Sequence, residues 1–498
     1  MTARELMCMC EDVTRHDVEE ALAAGYTDLE SIKRYTGLGT GSCQGRSCMA
    51  GLARLLHQAG ASPDRLQPMT ARAPLWPTPL GVFAAGDELP PAYPSPARPA
   101  LTPPLAGPVA PLEAPPVPTS AEVVIIGGGI MGLATAYHLA ANGVTRVVVL
   151  ERSYLSSGAS GRNGGGIREQ WSTEQNILLM KESIALCRRF AKDFGVNVWL
   201  RQGGYLFLAT KQDSVASMER NVALQNRLGV PTRLLGPEEA RRVAPSLDTT
   251  DVLAASYNHE DGVLFPWPFL WGYAEGARRR GVHIATFTPA TGIDVEAGRV
   301  TGVRTARGRI GCNLVVNAAA AWAPEIGRMA GVELPNHPER HEILVTESLK
   351  PFLGPLCSEL GSGLYFSQSL RGEIVGGMGD PEEPDGIELR SSLRFVTRMA
   401  RALVHRLPQL AGVKVLRQWA GCYDVTPDHN PIVGEVDEVR GFFQLHGFVG
   451  HGFMMAPAVC KIVGEHLAKG RPHSLVVENR LSRFRDGKGK QAESMIIG

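Results

Sequence analysis

Two sets of residues in this 498-residue chain carry chemistry by their type and spacing. The first is Gly127, Gly129 and Gly132, which follow the apolar run Val123-Val124-Ile125-Ile126 at the spacing Gly-x-Gly-x-x-Gly. Gly127 permits a sharp turn, Gly129 lets the backbone approach a pyrophosphate, and Gly132 lets the following helix pack closely on the strand. Ile130 and Met131 open that helix, whose free N–H groups and partial positive charge favour phosphate. A second apolar run, Val147 to Leu150, ends in Glu151. It lies roughly twenty residues past the glycines, where a carboxylate accepts ribose hydroxyls and repels a 2′-phosphate. Strand, glycine turn, helix, strand and terminal acid form a dinucleotide-binding fingerprint. The fingerprint alone does not separate FAD from NAD.

The second set is Cys8-x-Cys10 and, after a long gap, Cys43-x₄-Cys48. Thiolates at such spacings hold iron–sulfur clusters or zinc. Structural zinc sites pair cysteines as Cys-x₂₋₄-Cys, which Cys8 and Cys10 fit poorly. Nine cysteines is an odd number, and a chain of this size needs no disulfide framework. We read Cys187, Cys312, Cys357, Cys422 and Cys460 as core thiols.

The elements that must position these residues divide the chain into four. Residues 1–60 form a small helical unit. Thr14 caps a helix running to Ala24, Thr27 and Glu30 have capping-box spacing for a second ending near Gly37, and Met49 to His57 make a third. Residues 61–119 hold about half of the chain's 35 prolines with little charge, a composition that spaces rather than folds. We read a linker, with Leu80-Gly81-Val82-Phe83 as solvated chain rather than docked onto a neighbouring surface. Residues 120–475 alternate strands and helices, and 476–498 are a tail.

Within the third part, Leu155 to Arg168 is a run of small residues suited to lying against a flat ligand. Leu314 to Ala320 is a buried strand leaving into small residues, at the sheet end where open α/β folds bind ligands. His446-Gly447-Phe448-Val449-Gly450-His451-Gly452-Phe453-Met454 opens another glycine-rich helix. The formal charge of +1 offers no nucleic-acid surface. No apolar run reaches the ~18 residues that span a bilayer, and the N-terminus lacks the apolar core of a secretory signal. These features place the expected protein in the cytoplasm.

The motifs Gly127 to Gly132, Glu151, Ser157 to Gly166, Leu314 to Ala320, Trp419 to Gly434 and Gly447 to Phe453 resemble the D-amino-acid-oxidase-like FAD oxidoreductases over residues 120–470. The resemblance implies FAD, an α/β fold with a Rossmann-type FAD-binding domain, and an α+β substrate domain built on an antiparallel sheet. It places Ser160, Gly161, Arg162, Asn163, Gly164 and Gly165 on one side of the cofactor. Gly447, Gly450, His451, Gly452, Phe453 and Met454 lie on the other. The stretch Trp419 to Asp428 is similar to β-type subunits of heteromeric sarcosine oxidase, proline and opine dehydrogenases and cyanide-forming glycine dehydrogenases. That similarity implies a partner α-type subunit and allows for an FMN at a subunit interface. Where such oxidases carry a flavin-linked histidine this chain has Pro266, and where glycine oxidases carry an arginine it has Tyr423. Cys8 to Cys10 and Gly39 to Cys48 resemble the bacterioferritin-associated-ferredoxin-like module, which implies a [2Fe-2S] cluster on all four cysteines.

From these observations we expect a dehydrogenase acting on the C–N bond of a small amino acid or amine. Arg168 sits where the similar monomeric sarcosine oxidases carry a carboxylate-binding arginine, so the resemblance implies a carboxylate clamp, and a guanidinium fork matches a carboxylate; otherwise it is a surface or flavin-phosphate contact. Tyr423, Tyr257 and His341 are candidate pocket residues. Electrons would leave singly through the cluster to a partner. Two alternatives are a non-catalytic electron-transfer subunit and a zinc module used for assembly.

Overall fold

The computed structural model describes residues 5–60, 72–86, 88–91, 116–485, 487, 490 and 492–496. Its organising layer is a six-stranded sheet in the order His283–Ala285, Val147–Leu150, Val123–Ile126, Val315–Asn317, Phe442–His446, Ile432–Glu435. The first five strands are parallel and the edge strand is antiparallel. Val123–Ile126, Val147–Leu150 and Val315–Asn317 are buried at every position, as strands covered on both faces must be. Strand order reverses beside Val123–Ile126, whose neighbours are Val147–Leu150 and Val315–Asn317. That reversal opens the crevice where such sheets take ligands.

The helix Ile130–Ala141 leaves this crevice and packs against Pro266–Arg278 and Gly452–Lys469. Beside it stands a nine-stranded sheet, centred on the long pair His337–Ser348 and Lys414–Val425. Its neighbouring strands are antiparallel except Leu356–Leu360 with Tyr205–Ala209, which run parallel. The two sheets interleave in sequence, so each wall of the crevice draws on residues far apart in the chain.

Several expectations needed correction. The N-terminal unit has its helices at Arg15–Ala23, Leu29–Thr36 and Met49–Gln58. It also carries a short hairpin, Leu6–Cys8 with Val13–Thr14, which turns through Cys10. Thr14 caps the first helix, its Oγ1 accepting the Asp17 N–H at 3.2 Å. The second helix is capped by Asp28, not Thr27; Asp28 Oδ1 accepts the Ser31 N–H at 2.9 Å, while Glu30 pairs with Arg34. Leu80–Ala84 is a docked helix, not solvated chain. Leu80 is fully buried and donates its N–H to the Val413 carbonyl at 2.9 Å. Thr78–Pro79 adds an edge strand beside Lys414–Val415. Alternation of polarity could not reveal this docking, because a five-residue helix is set by the surface it meets. Residues 61–71 and 92–115 of the expected linker lie outside the described residues. Among the described residues no helix is long and apolar enough to cross a membrane.

The N-terminal unit is seated on the body by aromatic packing. Tyr26 lies 4.7 Å from Trp271 between ring centroids. Arg34 donates to the Tyr154 hydroxyl at 2.8 Å and stacks over its ring at 4.4 Å. Trp271 is 6% exposed. Trp271→Ala should therefore cost about 3–5 kcal/mol, and calorimetry should show the N-terminal unit melting separately from the body.

Candidate active site

The turn after Val123–Ile126 is held by contacts that admit no side chain. Gly127 sits at φ +122°, and a Cβ there would lie 2.4 Å from the Ala318 carbonyl oxygen. A Cβ on Gly132 would lie 1.9 Å from the Gly127 carbonyl oxygen. Glu151 braces the turn from the next strand. One carboxylate oxygen accepts the Gly128 N–H at 2.8 Å; the other accepts from Ser153 N–H at 2.8 Å and Ser157 Oγ at 3.2 Å. Burial raises the Glu151 pKa, and those donors oppose the rise. Ser160 Oγ accepts the Ile130 N–H at 3.0 Å, at the mouth of the helix.

The crevice between the sheets holds about 1180 Å³ of space, open solvent included. Ile130 and Met131 line it from the helix mouth. Ser160 and Arg162 to Gly165 line it from the small-residue loop, and Gly450 to Met454 from the second helix start. Gly127, Gly129, Gly132, Glu151 and Gly447 are not among the residues that line this cavity. Gly161 faces a second cavity. The backbone cradle, the bracing carboxylate and a cavity bounded by two helix mouths fit the adenosine, pyrophosphate and ring system of FAD.

At the sheet end of the cavity three rings meet. His341 stacks on Tyr423 with centroids 4.6 Å apart and planes 11° apart. Its Nε2 lies 3.1 Å from the Tyr365 hydroxyl. Burial lowers the His341 pKa to about 4, so the imidazole is neutral at physiological pH. Burial likewise raises the phenols of Tyr365 and Tyr423. Tyr205 and Leu356 complete the apolar side. Tyr365 and Tyr205 each open an ordinary strand, and nothing in a single strand's sequence says which face meets a ligand.

Two candidate residues stand elsewhere. Arg168 does not line the cavity. It is fully buried, its guanidinium lies 3.9 Å from the Trp171 ring centroid, and it donates to the carbonyls of Gln170 and Met495. Those contacts occupy its Nη1 and Nη2, while its Nε has no hydrogen-bond partner among the described residues. Tyr257 sits on the far strand Ala254–Asn258 and donates to the Gly203 carbonyl at 3.2 Å. It is a packing residue there. Among the described residues, Arg162 is the one lysine or arginine on the cavity wall. Its Nε donates to Ser157 O at 3.0 Å and its Nη1 to Ala420 O at 2.9 Å.

The second cavity lies at the seam between the N-terminal unit and the body. Lys33, Arg34, Arg72, Arg371 and Arg417 line it with Trp199, Trp267 and Trp419, and Glu373 is the one acid on its wall among the described residues. Burial lowers the Lys33 pKa to about 7 and the Arg417 pKa to about 10. Pro266 is on this wall. Arg162, Asn163, Gly164, Ser367 and Val375 line both cavities, so one layer of residues divides them.

Cys8 and Cys43 both bear on the Cys48 thiol, and Cys10 on Cys43. Burial raises the Cys48 thiol to about 12, and its neighbour Cys8 adds to the rise. Burial also opposes ionisation of Cys43, but hydrogen bonds from Ser47, Cys10 and Gly45 outweigh it and lower its pKa. Among the described residues no group of three or more His, Cys, Asp or Glu is arranged to hold a metal ion.

The fold and cavity define a flavin-binding oxidoreductase, and sequence comparison agrees. A family model described as FAD dependent oxidoreductase matches residues 122–466, and the chain belongs to that family. A second model, described as Sarcosine oxidase A3 domain, matches residues 2–87. The chain is 34% identical to sarcosine oxidase subunit beta of Rhizobium meliloti, over 74% of this chain and 89% of that one. It is similar to the solved structure of L-proline dehydrogenase from P. horikoshii, with TM-score 0.71 and 36% identity, covering 74% of this chain and 99% of that one. Glycine oxidase from Geobacillus kaustophilus shares the fold at TM-score 0.67 and 22% identity, covering 74% and 99%.

Gly132→Ala drives a methyl group into the Gly127 carbonyl. The purified variant should carry less than a tenth of the wild-type FAD by acid release and absorbance. Full occupancy would show that this turn does not set the cofactor site.

Proposed function

We propose that the chain is the catalytic, β-type subunit of a heteromeric dehydrogenase that oxidises the C–N bond of a small amino acid or secondary amine. The class is that of sarcosine, proline or hydroxyproline, opines and glycine. The observation that carries the reading is the neutral His341, stacked on Tyr423 and bonded to Tyr365, at the wall of the FAD cavity. When bound, FAD supplies a two-electron acceptor for hydride from the carbon beside the amine nitrogen. His341 and Tyr365 offer a hydrogen-bonding edge for the amine nitrogen, where a neutral imidazole can accept a hydrogen bond. Tyr205, Tyr423 and Leu356 exclude water and orient the substrate's apolar part.

Two further cofactors belong to this proposal. The paired cysteines Cys8 with Cys48 and Cys10 with Cys43 support a [2Fe-2S] cluster, which would pass electrons onward one at a time. The basic, tryptophan-lined second cavity supports an FMN, whose phosphate suits buried cations and whose ring suits aromatic walls. That cavity lies between the chain's N-terminal unit and its body, and an FMN at a subunit interface stays part of the proposal. A partner α-type subunit fits the beta-subunit relatives. Nine free cysteines fit the reducing cytoplasm.

A second reading has one observation in its favour. With Arg168 off the cavity wall and Tyr423 in place of an arginine, Arg162 is the one cation on that wall among the described residues, and its Nε and Nη1 are held by backbone carbonyls. On that reading the chain transfers electrons for a partner that performs the chemistry. Anaerobic addition of sarcosine, proline, hydroxyproline, an opine or glycine separates the two. Bleaching of the flavin by one of them supports the catalytic reading; no bleaching by any ends it. His341→Asn should slow that bleaching about 10²-fold. Because the imidazole is already neutral above about pH 4, the pH dependence of bleaching between about pH 6 and 9 should stay as in the wild type.

Cys43→Ser gives the companion test. It should abolish the reduced-state electron paramagnetic resonance signal of the cluster while FAD content is unchanged. A colourless, zinc-loaded wild-type N-terminal unit would favour the assembly-module reading instead.

A further inference from the structure

Asp424 closes the long strand Lys414–Val425 and is 7% exposed. Its Oδ2 accepts the Gly447 N–H at 2.5 Å. The N–H groups of Asp424 itself, Phe448 and Val449 also favour its ionised form. Consecutive amides gathered around one anion form a nest, a concave site that binds negative charge. Here the anion is supplied by the chain itself.

The loop so held is not a relaxed one. Gly447 lies at φ +82°, Val449 at φ +46° and Gly450 at φ +78°. A β-branched residue in the left-handed region persists only where its surroundings impose it. Val449 is buried, and the loop has no regular secondary structure of its own to hold it. It runs directly into the helix Gly452–Lys469, whose first turn lines the FAD cavity. Asp424, Phe448 and Gly450 line that cavity too. Burial pushes the Asp424 carboxyl up to about 6, and the N–H groups of Gly447, of Asp424 itself and of Phe448 and Val449 oppose that rise.

We propose that Asp424 is a positioning residue whose carboxylate fixes the loop Gly447–Gly450 and places a negative charge on the wall of the FAD cavity. The amides give the carboxylate its hydrogen bonds, and the carboxylate gives the loop its shape. A buried negative charge repels added electron density in a medium that screens it weakly. It therefore disfavours the reduced cofactor and favours passing electrons onward. The inference requires bound FAD and is independent of which amine is oxidised.

The test compares wild type, Asp424→Asn and Asp424→Glu at pH 8 as full-length, FAD-loaded protein. Asp424→Asn should give a more positive flavin midpoint potential, and Asp424→Glu, which restores the charge, should move it back toward the wild type. An unchanged potential in an FAD-replete Asp424→Asn protein would overturn the charge role. If neither variant retains FAD, amide hydrogen exchange in the wild type decides. Strong protection of Gly447 to Val449 in FAD-free protein supports the carboxylate as their partner, and rapid exchange there overturns it. Amine turnover does not enter these readouts, so failure here leaves the catalytic reading standing.

Discussion

Everything about this site depends on one close approach of backbone to backbone. At Gly127 the chain turns under the Ala318 carbonyl, and at Gly132 the following helix turns over Gly127 itself, with no room for a Cβ at either point. These two contacts bring the ends of three parallel strands within reach of a single ligand. They also aim the Ile130–Ala141 helix mouth into the crevice. A side chain at either position would push the strand and helix apart. Glu151, the Ser160 loop and the second helix mouth would then lose their common focus.

The cavity gains its chemical character from what burial does to polar groups. His341, His446 and His451 are all held neutral, at about 4, 3 and 3, because the interior disfavours a charged imidazole. Tyr205, Tyr365 and Tyr423 are held protonated for the same reason. Asp424 escapes this rule in part, since the Gly447 loop supplies it with amides. The wall facing a ligand is thus mostly neutral and hydrogen-bonding, with Arg162 and Asp424 as charged exceptions. Across a single layer of residues lies a cavity of opposite character, crowded with lysine and arginine. Two adjoining cavities, one neutral and one cationic, suit two different ligands.

Much of the parallel layer was legible in the sequence, because buried parallel strands write themselves as unbroken apolar runs and the tight turn demands glycine. The long helices were legible for a related reason: apolar spacing and end residues act locally. Arg168 shows where such reasoning stops. Its type suits a carboxylate, but its use is decided by Trp171 beneath it and by Met495, more than 300 residues away, which takes its Nη2. Tyr365 failed in the opposite direction. It sits in an ordinary strand, and only pairing with Glu373–Met378 and the neighbouring His341 turns its hydroxyl to the cavity. The docked Leu80–Ala84 helix and the Asp424 nest are likewise products of surfaces assembled from distant segments.

The central claim is that the crevice between the two sheets is filled by one FAD. The most direct measurement is the flavin content and absorption spectrum of the purified full-length chain, followed by a structure of that material. The account predicts a flavin band near 450 nm, about one FAD released per chain, and density for the cofactor between the Ile130 and Gly452 helix mouths. A colourless protein, or a crevice closed by its own side chains when FAD is supplied, would contradict it.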